Sequence, residues 1–189
     1  MSNKEEGAEE AGPIPDRGAA EAILRDGKVN VSSQSEADSL AQSGYGVRIE
    51  KNKLQLNLPE ALYLVAEQRL RVAEGDARLE FSELLRRARR CDSDVWAKYI
   101  LYRDLRSRGY VVREGSIGGT EFRVYERGEY PDKAAKYEVF TIREGIPLPV
   151  SRLSSVLRMS EAAKKKLIIA VVDRHGEVVY YSLAEYSPS

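Results

Sequence analysis

Six consecutive apolar residues, Leu167 to Val172 (LIIAVV), stand between the run Lys164-Lys165-Lys166 and the turn Asp173-Arg174-His175-Gly176. The run falls far short of the ~20 residues that span a bilayer. It is rich in β-branched residues and bounded by charge and a turn, which argues for a strand. A strand with no polar face must be covered on both sides, so this run reads as the central strand of a sheet packed between helices. The sequence around it supplies those partners. SRLSSVLRMSEAA (151–163) reads as a helix leading in, and EVVYYSLA (177–184) returns from the turn as a hairpin partner.

Upstream, DSDVWAKYILYRDLRSRG (92–109) reads as a longer helix. Asp92, Ser93 and Asp94 place capping oxygens and negative charge at its start, and Gly109 stops it. Val95, Tyr99, Tyr102 and Leu105 repeat at helical spacing. Three strand-like runs follow: YVVRE (110–114), EFRVYE (121–126) and KYEVFTI (136–142). The C-terminal part, 92–189, is thus expected to be a compact unit of helix, three strands, helix and hairpin.

The N-terminal part reads as a smaller mixed domain over 18–91. VNVSS (29–33) and SGYGVRIEKNKLQLNL (43–58) alternate like strands around turns. Asn57 can cap a helix through EALYLVAEQR, with Pro59 in its first turn and Glu60 three residues after the cap. FSELLRRARRCD (81–92) reads as a second helix with Ser82 as its cap. The expected fold class is therefore α/β, a mixed α+β chain of two units.

Residues 1–17 are rich in Glu, Ala, Gly and Pro and read as a disordered acidic tail. Six acids and two bases in residues 1–22 carry a net of −4, so the rest of this formally neutral chain carries +4. A mildly basic body permits RNA contact without demanding it. The N-terminus lacks a basic start followed by an apolar stretch, and a single cysteine, Cys91, excludes an internal disulfide. A cytoplasmic protein with no membrane partner is expected. Charged residues make up 32% of the chain against one Cys and two Met, a balance that fits a heat-adapted source.

Side chains for chemistry are few. On EFRVY, Arg123 and Tyr125 point away from the face that holds Phe122 and Val124. The three lysines before LIIAVV read first as charged gatekeepers of an aggregation-prone strand, with a fixed charge for a phosphate as the second reading. The only histidine, His175, sits in a turn. The RRARR run (86–90) reads as a solvated helix face, with RNA contact as the second reading. No Walker loop, nucleophile elbow or metal-ligand cluster is visible.

GYGVRIEKNKLQLNLPEALYLVAEQRLRV resembles the N-terminal domain of archaeal tRNA-splicing endonucleases. YILYRDLRSRGYVVREG, FRVYERGEYP, KYEVF and KKKLIIAVVDRHGEVVYY resemble their C-terminal nuclease domain, in the same order. The resemblance implies cleavage of precursor tRNA at bulge–helix–bulge structures without metal or cofactor. A tyrosine takes the 2′-OH proton, a histidine protonates the leaving 5′-oxygen and a lysine steadies the phosphorane. The products implied are a 2′,3′-cyclic phosphate and a 5′-OH.

Tyr125 matches the family tyrosine and Lys165 the lysine. The family histidine opens a motif like H-x-K-Y, and here that register reads Ala134-Ala135-Lys136-Tyr137. Alanine cannot donate a proton. The resemblance therefore implies a structural, non-catalytic subunit, with Tyr125, Ala134 and Lys165 as residual positions. It would pair with a catalytic paralogue in an α2β2 heterotetramer. Asp173, Glu177, Val179 and Tyr181 are the expected subunit-docking residues, and Arg123 and Arg127 the expected RNA contacts. Two other readings stand beside it. One is a self-sufficient nuclease using His175 or Lys133 as the acid, and the other an RNA-binding or assembly module without enzymatic activity.

Overall fold

The computed structural model describes residues 18–186. The tail expected over 1–17 lies outside them. The first unit runs β1 (Ala20–Arg25), β2 (Lys28–Val31), α1 (Gln34–Gln42), β3 (Val47–Glu50), β4 (Lys53–Leu56), α2 (Leu58–Ala66), β5 (Leu70–Glu74), β6 (Ala77–Leu79) and α3 (Phe81–Cys91). The second runs α4 (Val95–Ser107), β7 (Val111–Glu114), β8 (Phe122–Tyr125), β9 (Tyr137–Arg143), α5 (Val150–Ala162), β10 (Lys166–Val172) and β11 (Val178–Leu183). The mixed α+β class read from the sequence is the one observed.

The first sheet has the order β3-β4-β2-β1-β5-β6, with β1 and β5 parallel. Strands β1, β5 and β6 and helix α1 were not among the sequence expectations. Asn57 caps α2 as expected: its side chain accepts from the Glu60 backbone N–H at 2.9 Å, and Glu60 accepts from the Asn57 N–H at 3.0 Å. Ser82 does not cap α3. The helix begins one residue earlier, so Ser82 lies inside it, and Glu80 holds the N-cap position while Glu83 accepts its N–H at 3.3 Å.

The second sheet has the order β11-β10-β9-β8-β7. LIIAVV forms β10, which pairs in parallel with β9 and antiparallel with β11. It is not the central strand; it lies one place in from the edge, because its hairpin partner β11 forms the edge of the sheet among the described residues. One face of the sheet packs on α4 and the other on α5, where Phe140, Val156 and Leu167 form a small second core.

α4 joins the two units. Its side chains complete one continuous core that runs from Val29, Leu54 and Leu64 to Val112, Phe122 and Val139. Tyr102 is its centre: fully buried, edge-on to Tyr63 of α2 and tilted against Phe122 of β8, each at 5.6 Å between ring centroids. The Gly44-Tyr45-Gly46 stretch presses against the same junction. Gly44 and Gly46 have φ of +78° and +62°, and a Cβ on either would come within 3 Å of Val111 or Leu54. Arg113 of β7 donates to the Gly44 carbonyl at 3.2 Å.

Glu60 is also buried here, and its Oε1 accepts from the Gly46 N–H at 3.3 Å. Burial pushes its carboxyl up to about 7, against the opposing pull of the Asn57 and Gly46 N–H groups and of Arg113 and Arg106. The folded chain therefore keeps a proton that the unfolded chain releases near 4.5. Stability from this group is full below that value and is lost as pH rises through about 7. Melting curves from pH 4.5 to 8 should show the native chain losing stability relative to Glu60→Gln across this window. Parallel curves would mean that Glu60 is ionised in the fold.

Candidate functional site

Three strand ends meet at one end of the second sheet: the C-terminus of β8 and the N-termini of β9 and β10. Val124 pairs with Tyr137 in register. The Lys136 N–H donates to the Val124 carbonyl at 3.2 Å, and the Lys166 N–H to the Lys136 carbonyl at 3.0 Å. The connection 126–136 thus folds back between β8 and β10. This brings Tyr125, Ala134 and Lys165 to the same end of the sheet.

Lys165 is set by the end of α5. Lys164 takes a left-handed conformation, φ +55°, an uncommon one for a residue with a side chain. The Lys164 N–H then donates to the Glu161 carbonyl at 2.9 Å and the Lys165 N–H to the Ser160 carbonyl at 2.9 Å, the two bonds of a Schellman cap. That cap turns the chain sharply into β10 and aims Lys165 across the loop, where its ammonium donates to the Ala135 carbonyl. Ala135 is buried, whereas Ala134 is exposed. Tyr125 is half-buried and packs edge-on against Tyr130, with ring centroids 5.0 Å apart.

The loop is braced by charge. Glu126 accepts from Lys136 at 2.5 Å and from the Tyr137 hydroxyl at 2.8 Å, and Glu129 accepts from Lys133 at 2.7 Å. The Glu129 bond pushes the Lys133 ammonium upward, which makes it a still weaker acid. His175 is at the other end of the sheet. β10 separates it from Lys165, and its seven residues span roughly 23 Å at ordinary strand rise.

The two arginines expected at RNA diverge. Arg127 is exposed but lies over the Tyr110 ring at 5.4 Å. Arg123 is half-buried between Arg113 and Glu138 in register, and its Nε has no hydrogen-bond partner. Sequence reasoning missed Glu138, which is fully buried and accepts from the Ser116 hydroxyl and from Thr120 Oγ1 at 2.7 Å. The signal was an acid at a buried position of the apolar run KYEVF. It ties the loop after β7 to the middle of the sheet.

The four positions expected from the sequence to dock a partner lie on and beside β11. Val179 and Tyr181 are 51% and 56% exposed on the edge strand. Asp173 is occupied within its own turn, accepting the His175 and Glu177 N–H groups at 2.8 Å each. Those bonds, led by Glu177, hold its carboxyl below the usual range. Only Glu177 of the two acids keeps a carboxylate free of such bonds among the described residues. Ile146 and Val150, 53% and 77% exposed in and after the loop that leads out of β9, were not foreseen as part of this end. No helix among the described residues is long and apolar enough to cross a membrane.

The family model described as tRNA intron endonuclease, N-terminal domain, matches residues 20–85, and that described as tRNA intron endonuclease, catalytic C-terminal domain, matches residues 95–180. A tRNA-splicing endonuclease of Methanococcus vannielii is 36% identical over 163 residues, covering 86% of this chain and 92% of that protein. One of Pyrococcus abyssi is 36% identical over 141 residues, covering 74% and 80%. In a tRNA-splicing endonuclease of Methanococcoides burtonii, a 36% identical match covers 75% of this chain but 40% of the longer relative. Two family domains in the expected order, together with relatives 36% identical over most of both chains, mean that this chain belongs to the tRNA intron endonuclease family.

Proposed function

We propose that this chain is the non-catalytic subunit of a cytoplasmic tRNA-splicing endonuclease that removes introns from precursor tRNA at bulge–helix–bulge motifs. One observation carries the reading: the position where the family's general acid belongs is Ala134, and the chain's single histidine lies at the far end of the sheet. No imidazole of the same chain can reach a leaving 5′-oxygen beside Tyr125 and Lys165. Lys133 offers no substitute, since its bond to Glu129 makes an already weak acid weaker still. The proton must come from a partner's own site.

In this proposal the catalytic paralogue supplies tyrosine, histidine and lysine and yields the cyclic phosphate and 5′-OH ends. This chain completes an α2β2 assembly through the exposed edge of β11 and Glu177. An unpaired apolar edge such as Val179 and Tyr181 favours strand pairing with a second chain. The test is cleavage of a bulge–helix–bulge RNA in EDTA by the chain alone, by the paralogue alone and by the mixture. Cleavage in the mixture and none by this chain alone is expected. Efficient cleavage by this chain alone would overturn the reading.

A further inference from the structure

The sequence run RRARR occupies the outer face of α3. Arg86, Arg89 and Arg90 are exposed, and their spacing of three and four residues sets them on one side of the helix. Four acids on the adjoining segments are already engaged. Glu74 pairs with Arg87 at 2.5 Å, Asp92 with Lys98 at 2.7 Å, Asp94 with Arg143 at 3.0 Å, and Glu83 caps the helix. Among the described residues, no ion pair involves Arg86, Arg89 or Arg90. The chain as a whole is neutral, so three unneutralised arginines on one helix are a local concentration of charge.

An aromatic platform adjoins them. Trp96, in the first turn of α4, is 39% exposed. The Arg89 guanidinium lies 5.9 Å from the centre of its ring, and Tyr99 supports the ring from within at 5.4 Å between centroids. Cations beside an exposed, backed indole are the pairing that binds a nucleic-acid backbone and stacks an unpaired base. An acidic protein surface would use the arginines but leave the indole unexplained.

We infer that Arg86, Arg89, Arg90 and Trp96 form an RNA-binding surface, with the arginines on phosphodiester oxygens and an unpaired base on Trp96. This rests on the RNA substrate proposed above and gives the non-catalytic chain a direct part in holding it. The surface lies on α3 and the start of α4, the α4 end that Asp94 ties to Arg143 at the C-terminus of β9. It is therefore away from the strand ends that carry Tyr125 and Lys165.

The experiment measures binding of a fluorescent bulge–helix–bulge RNA to the full chain between 50 and 300 mM salt, with cleavage by the two-subunit mixture in parallel. Replacing all three arginines by alanine should weaken binding roughly 10- to 100-fold near 0.15 M salt. It should also make the slope of log K against log salt shallower by about 2 to 3. The same three positions as lysine should keep the slope. Trp96→Leu, which keeps apolar cover over Tyr99, should lose roughly tenfold in affinity with the slope unchanged. The mixture containing the alanine variant should show a raised KM with kcat retained.

Unchanged affinity and slope in a folded alanine variant would overturn the inference, as would an unmodified chain with no salt-dependent RNA affinity. Loss of the paralogue rather than of RNA would also overturn it and make the patch a protein interface. In each of these cases a mixture of unmodified subunits that still cleaves keeps the functional reading intact. A mixture that never cleaves brings down that reading itself.

Discussion

Replacing Ala134 with histidine is expected to give this chain cleavage of its own, roughly 10²–10⁴-fold above the unmodified chain on a bulge–helix–bulge RNA. The proposed function assigns the other two roles to Tyr125 and Lys165. Tyr125 closes β8 and Lys165 is fixed by the Schellman cap of α5, both at the strand ends where the loop 126–136 returns. What is missing is a group that titrates near neutrality, and an imidazole has that property. The structure also separates the two alanines. Ala134 is exposed, so a histidine there meets solvent and substrate. Ala135 is buried and its carbonyl holds Lys165, so Ala135→His would crowd the site and is expected to stay silent. Activity in Ala134→His should fall as the imidazole loses its proton above about pH 6.5 and should vanish with Lys165→Ala. A folded Ala134→His chain that binds the RNA and cuts nothing would mean that Tyr125 and Lys165 are no longer placed for chemistry.

The sequence made the second sheet easy to read and the first hard, for a physical reason. KYEVFTI and LIIAVV bury large β-branched and aromatic residues, and Val178 and Tyr180 of VVYYSL pack half-buried against the same core, so their pattern is strong. β1 buries Ala20, Ala22 and Leu24, and two small residues of three leave an alternation that blends into the Ala- and Glu-rich tail beside it. α1 buries only Ala37 and Leu40 in nine residues, too little for helical periodicity to show. β5 and β6 flank a turn at Gly75, but Arg71 and Arg78 between the buried positions made the run resemble a charged surface.

Residue types at the candidate site were legible, but their meeting was not. Nothing in the spacing of Tyr125, Ala134 and Lys165 says that β9 and β10 run parallel, which is what brings the loop and the lysine together. Glu60 shows the same limit. Its role in the helix cap was evident from its distance to Asn57. Its burial was not, since that depends on Arg113, Gly46 and α4 arriving from elsewhere in the chain.

Tyr102→Ala should be the most damaging single truncation at the junction, while Tyr102→Phe should cost nothing or slightly stabilise. The ring is fully buried between Tyr63 and Phe122 and fills the space where the two units share a core. Removing it leaves a cavity and loses two aromatic contacts, a loss of about 3–5 kcal/mol. For a chain of this size that corresponds to a fall in Tm of roughly 10 °C or more. The hydroxyl behaves differently. It is buried without a hydrogen-bond partner, so it is desolvated with no return, and burial pushes its pKa well up. Deleting it removes a penalty and keeps the ring. Because α4 serves both sheets from one core, the unmodified chain is also expected to melt in a single transition. Two transitions would show that the units do not share one cooperative core, and a Tyr102→Phe loss as large as that of Tyr102→Ala would show that the hydroxyl rather than the ring carries the contribution.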